Sequence, residues 1–160
     1  MLTSTQFHIT ELGLTELIGI NEQVAQNQYC ASVGITLATQ PISGELLAFA
    51  LYSQESGTGA VLQPTGKLIL LDADPTSAAG DTALTAAEQL TILGIVDVAA
   101  GDWIADANGA LAYIVDTPIP FHRLTSLYAV WKHSLATAYN DAAGDDEQLQ
   151  FNAWYRRDGL

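Results

Sequence analysis

The chain holds few residues whose type and spacing suit catalysis. Its three histidines, His8, His122 and His133, are far apart in sequence. They share no metal-ligand spacing such as HxxxH, and Cys30 is the only cysteine, so a CxxC zinc site and an intrachain disulfide are both excluded. Ser134 follows His133 directly, and neighbours on a strand point to opposite faces, so they do not form a dyad. Asp72-x-Asp74 and Asp106-x-Asn108-Gly109 pair oxygen donors that suit a hard cation. Pro75 and Gly80 mark the first as a turn, and the second is shorter than a calcium loop. There is no Gly-x-Ser-x-Gly elbow and no phosphate-cradling glycine loop. The expectation is therefore no catalytic residue, no metal ligand and no cofactor.

A different chemistry, that of contact, concentrates near the C-terminus. Two of the three tryptophans and four of the five basic residues lie between Arg123 and Arg157. Trp154-Tyr155-Arg156-Arg157 joins the side-chain types that dominate interface hot spots. Trp131, Trp154, Arg156 and Arg157 are the expected partner-contact residues. The acidic run Asp145-Asp-Glu147 reads as a solvated loop, or as an ion-pairing patch for those arginines.

The elements that carry these residues are short and β-like. From Leu149 to Arg157 the alternation puts Leu149, Phe151, Ala153 and Tyr155 on a core face, with Gln150, Asn152, Trp154 and Arg156 on the other. Leu127–His133 is apolar on both faces, as in a central strand or one lying against a partner. Val33, Ile35 and Leu37 alternate with smaller or polar residues. Leu46–Tyr52 and Lys67–Leu71 are short apolar runs, and the shortness of Leu46–Tyr52 favours strand over helix. Leu90–Val98 alternates, Thr82–Gln89 suits a helical turn, and Asn108-Gly109 between apolar runs signals a hairpin. This predicts about seven or eight short strands in an all-β fold, a β-sandwich or jelly-roll-like domain. Residues 1–28, rich in Thr, Gln, Asn and Glu, read as a less regular N-terminal arm or as a first edge strand. Residues 29–160 are the sandwich.

Composition narrows the function classes. At 160 residues the chain suits one domain. It has 18 acids against 5 bases, a net charge of −13. Such a surface repels phosphate backbones, so no nucleic-acid partner is expected. No apolar run approaches the roughly 20 residues of a membrane span, and the N-terminus has neither the basic nor the apolar region of a signal peptide. Only 14% of residues are charged, which suits a surface partly covered by other chains. Cys30 reads as a small buried residue.

Asp141–Asp158, preceded by Leu127-Tyr-Ala-Val-Trp-Lys-His133, resembles structural proteins of tailed-bacteriophage virions, in style the capsid cement or decoration type. Leu71-Asp-Ala-Asp-Pro75, Asp102-Trp103 and Asp106-Ala-Asn-Gly-Ala110 extend the likeness, which covers residues 65–158. It implies a non-enzymatic protein on the outside of the phage head. That protein would be a homo-oligomer, dimer or trimer, clamped over junctions of the major capsid protein, and would hold the shell against internal DNA pressure. Ile9–Ile18 resembles the start of phage tail-fibre proteins, so a head-fibre, tail or receptor-binding module is the alternative. It would recognise host-surface glycan, with Trp103, Trp131 or Trp154 as the stacking platform.

Overall fold

The computed structural model describes residues 9–19, 23–55, 63–76, 82–105, 109–115, 118–139 and 147–158. They form strands β1 (Ile9–Glu11), β2 (Thr15–Ile18), β3 (Val33–Thr36), β4 (Ile42–Glu55), β5 (Gly66–Leu71), β6 (Ile92–Val98), β7 (Trp103–Ala105), β8 (Gly109–Ile114), β9 (Ile119–Leu124), β10 (Ser126–His133) and β11 (Glu147–Arg157). One helical turn, α1 (Ala86–Gln89), precedes β6. Its N-terminus is closed by a capping box: Glu88 N donates to Thr85 Oγ1 at 3.3 Å, and Thr85 N donates to Glu88 Oε2 at 2.8 Å.

The strands make two antiparallel sheets. The larger runs β1-β11-β4-β8-β7, with β2 also on β11 and β9 also on β4; the smaller runs β3-β10-β5-β6. The chain is thus an all-β sandwich, as the alternation predicts, with more strands than expected. Part of the surplus comes from the aromatic run 121–133. It reads as continuous but breaks at Thr125, giving β9 to the larger sheet and β10 to the smaller. Sandwich corners turn through such bends and bulges. Here Arg123 takes φ 52°, a left-handed conformation that costs a non-glycine residue roughly 1 kcal/mol or more. Ser43 on β4 holds it, its Oγ accepting from Arg123 N at 3.0 Å. Past the corner, the Thr125 carbonyl accepts Leu37 N at 2.8 Å.

The run Leu46–Tyr52 lies inside the 14-residue β4. Side chains on a strand alternate, so a strand this long keeps one face inward only if its twist is relieved. Opposite Trp154/Tyr155 the register slips by one, so Leu47 and Ala48 both stand opposite Trp154. Before the bulge Ile42 and Leu46 point inward; after it Phe49, Leu51 and Ser53 do. β11 supplies the matching inward row Leu149, Phe151, Ala153 and Tyr155, all buried, as the sequence predicts.

β10 lies between β3 and β5, which explains its apolar character on both faces. Leu127, Ala129 and Trp131 face the larger sheet. Val130, and Ile69 and Leu71 beside it, face away, yet all three are buried. Just after β5, Ser32 Oγ donates to Asp74 Oδ1 at 2.6 Å. Asp74 therefore acts as a turn and tether residue.

Residues 9–18 of the N-terminal segment join the larger sheet. β1 and β2 extend β11, and Leu17, Ile18 and Val24 are buried in the common core. Residues 24–30 then run beside β10 and Tyr139, with Cys30 N donating to the Trp131 carbonyl at 2.9 Å and Val24 bridged to Tyr139. The expected boundary at residue 28 is not visible among the described residues, and the edge-strand reading fits residues 9–18. Their polar residues face outward and each short strand has few inward positions, so the hydrophobic pattern is too brief to show in sequence.

Truncating the centre of β11 should expose this architecture. Phe151→Ala should lower unfolding free energy by about 3–5 kcal/mol, whereas Leu111→Ala, on the solvent side, should change it by about 0.5 kcal/mol or less. Urea unfolding followed by tryptophan fluorescence measures both.

Candidate functional site

The outward face of the larger sheet is where side chains of unusual type gather. Alternate residues of β11 point there, and three of them bond across to a neighbouring strand. Gln148 donates to Glu16 on β2, Asn152 Nδ2 donates to Glu11 on β1, and Arg156 pairs with Glu45 on β4. Cross-strand pairs of this kind each contribute a few tenths of a kcal/mol to about 1 kcal/mol. The first two fasten the N-terminal strands β2 and β1 to β11, and the third joins β11 to β4.

Between these polar pairs stands Trp154. Its ring meets Tyr113 of β8 edge to face, with centroids 5.8 Å apart and planes at 64°. The two strands are not neighbours, because β4 runs between them. The rings reach each other because β4 presents Ala48 opposite Trp154 and Ala50 opposite Tyr113. Larger side chains there would keep the rings apart.

Toward β7 the described residues of the face carry no charge. Tyr113 is 59% exposed, Leu111 46% and Ile104 77%, and Ile104 lies directly opposite Leu111. Sequence reading missed these three because it places the larger residues of an alternating strand inside. In β8 the order is inverted: Ala110 and Ala112 are buried while Leu111 and Tyr113 face out. Ala112 is paired with Trp103, whose indole fills the inward space and donates from Nε1 to the Pro64 carbonyl at 2.9 Å. The signal was the run of small residues at every second position beside a tryptophan.

The expected contact residues separate. Trp154 and Arg156 share the outward face, and Arg157 is exposed at the end of β11. Trp131 does not join them. It is fully buried between the sheets, so in this fold it is a core residue and offers no surface to a partner or a glycan. The same holds for Trp103, which is also buried. β10 and β11 are both aromatic-rich, but they belong to different sheets. The run Asp145-Asp146 and the pair Asp106/Asn108 lie outside the described residues, as does His8.

Among the described residues no group of three or more His, Cys, Asp or Glu is placed to hold a metal ion, and no helix is long and apolar enough to cross a membrane. His122 Nδ1 lies 3.0 Å from Ser43 Oγ, at a recess of about 420 Å³ that Glu45, Asp72 and Asp158 also line. Ser43 is occupied by the corner: its Oγ accepts from Arg123 N, and its carbonyl accepts from Asp158 N at 2.9 Å. That arrangement supports the register shift between Ile42 and Gly44 where β4 pairs with β9.

His133 is fully buried at the end of β10. Its Nε2 donates to the Thr137 carbonyl at 2.8 Å, so the neutral ring carries its lone pair on Nδ1, which has no partner among the described residues. Tyr139 stands edge-on to it, with centroids 6.4 Å apart, and shares a 2.8 Å hydrogen bond with Ser53. Burial pushes the imidazole below its ordinary value of 6.5, and the Thr137 bond opposes this only partly.

No family model matches the chain, and no curated protein sequence does either.

The histidine gives a signed pH prediction. A depressed folded-state pKa means that the unfolded chain binds the extra proton first. The stability from neutral His133 is present above about pH 6.5 and is lost as pH falls toward the folded-state value. The unfolding free energy from urea titrations should fall as pH drops below about 6.5, at a slope of at most about 1.4 kcal/mol per pH unit. His133→Gln should flatten that fall.

Proposed function

We propose that this chain is a non-enzymatic structural protein of a phage virion, of the capsid cement type. It would dock on the outside of the head, with the major capsid protein as partner, through the outward face of the larger sheet. The observation that carries this reading is that face itself. It sets Trp154 and Tyr113 among side chains already hydrogen-bonded to one another, on a rigid sheet, with aliphatic residues beside them. Such a surface is built to be covered by protein: aromatic and Arg residues anchor it, and a fixed polar rim surrounds them. Net charge of −13 suits a protein that sits outside a DNA-filled shell without competing for the DNA. The phage assignment rests on the resemblance of residues 65–158.

One observation favours a second reading, a glycan-binding head-fibre or tail module. Exposed Tyr113 and half-buried Trp154 form a ring pair beside Asn152 and Gln150, the residue types that stack on and hydrogen-bond to sugars. Asn152 and Gln148 are committed to Glu11 and Glu16, and Leu111 and Ile104 offer a sugar little. Both facts weigh toward protein.

The test is addition of the purified chain to expanded and unexpanded heads of the encoding phage. It should co-sediment with expanded heads and raise the temperature at which they rupture. Trp154→Ala with Arg156→Ala should weaken addition about tenfold or more. A chain that stays unbound on every head form while labelling spots on a glycan array would replace this reading with the second.

A further inference from the structure

At one end of the apolar core, polar side chains gather. Trp131 and His133, two residues apart on β10, both point inward and are fully buried. Each carries a polar atom with no hydrogen-bond partner among the described residues: Nε1 of Trp131 and Nδ1 of His133. The indole Nε1–H can only donate. The bond from His133 Nε2 to the Thr137 carbonyl leaves Nδ1 as an acceptor. A buried donor or acceptor without a partner has given up water and gained nothing in return, so native cores satisfy such groups.

The two atoms address one space. Gly66 of β5 stands directly opposite His133. A Cβ on Gly66 would meet Trp131 Cζ2 at 2.6 Å and Cε2 at 2.9 Å. Cε2 is the ring carbon bonded to Nε1, so the indole reaches along the strand to the level of His133. Residues two apart on a strand are separated by about 6.6 Å. With the indole turned toward His133, the gap falls within the roughly 6 Å that two hydrogen bonds in series span. The pair also sets the chemistry of what bridges it. A cation gains nothing from an N–H donor, and an anion gains nothing from an imidazole lone pair. Water accepts from the one and donates to the other. Two hydroxyls lie at the same end of the core: Tyr139 stands edge-on to His133, and its OH is 2.8 Å from Ser53 Oγ. Gly66 opposite His133 and Ser134 after it line a recess of about 570 Å³, which gives water a short way in.

We propose that this end of the core is a binding site for one ordered water, which accepts from Trp131 Nε1 and donates to His133 Nδ1. The water completes a polar cluster that spans both sheets, because Ser53 lies on β4 of the larger one. It also fixes the ring of a residue whose backbone holds the segment before β3. His133 N donates to the Gln28 carbonyl at 3.0 Å, and the His133 carbonyl accepts Asn27 N at 2.8 Å. The site is independent of the virion reading and holds whether or not the chain binds a phage head.

The test is a crystal structure of the full chain at a resolution that shows ordered waters. A water should lie within about 3.2 Å of both Trp131 Nε1 and His133 Nδ1. In solution, oxygen-17 magnetic relaxation dispersion counts long-lived internal waters. Trp131→Phe keeps an aromatic ring and removes the donor, so it should hold one such water fewer than the unaltered chain. A dry gap between the two atoms in the crystal, or a protein group bonded to either of them, overturns the proposal. So does a folded Trp131→Phe chain that holds as many long-lived waters as the original. If that variant does not fold, the crystal structure of the unaltered chain decides alone.

Discussion

The pairing of β4 with β11 is the constraint on which the rest of this molecule hangs. The two strands run antiparallel through eleven registered positions, from Glu147 opposite Glu55 to Arg157 opposite Gly44. Every other strand of the larger sheet except β7 is attached to one of them. A ladder that long would rotate its inward row out of the core through accumulated twist. The Leu47–Ala48 bulge resets the phase, so Phe49, Leu51 and Ser53 stay inward beside Leu149, Phe151 and Ala153. The same bulge sets small Ala48 opposite Trp154, with Ala50 two residues on. The bulge that keeps the core in phase thus also clears the space in which Trp154 meets Tyr113.

Much of this was legible in the residues. The two faces of Leu149–Arg157 follow from strict alternation, and the structure reproduces them position by position. The central place of Leu127–His133 follows from its apolar character on both faces. The β7–β8 hairpin follows from Asn108-Gly109. What was not legible depends on events between strands. Nothing local announces that Arg123 will adopt a positive φ, because Ser43, 80 residues away, stabilises it. Trp131 reads like Trp154, since each lies within two residues of a basic one. Only the assignment of strands to sheets separates a core tryptophan from a surface one.

The outward face of the larger sheet was half legible for the same reason. The place of Trp154 and Arg156 on it followed from strand alternation. Ile104, Leu111 and Tyr113 were hidden by the habit of placing large apolar residues inside. β8 reverses that order because Trp103 occupies the interior beside Ala112. An apolar residue kept outside at this cost in solubility is more informative than one placed inside, and it points to a surface that works when covered.

The central claim is that the outward face of the larger sheet is where this protein meets other chains. Hydroxyl-radical footprinting of the assembled form against the dilute chain tests it most directly. The account predicts that Ile104, Leu111, Tyr113 and Trp154 lose reactivity together while Leu90, exposed beyond α1, keeps its own. Protection that falls on Leu90 or Ile95 of the smaller sheet, with Tyr113 and Trp154 unchanged, would contradict it.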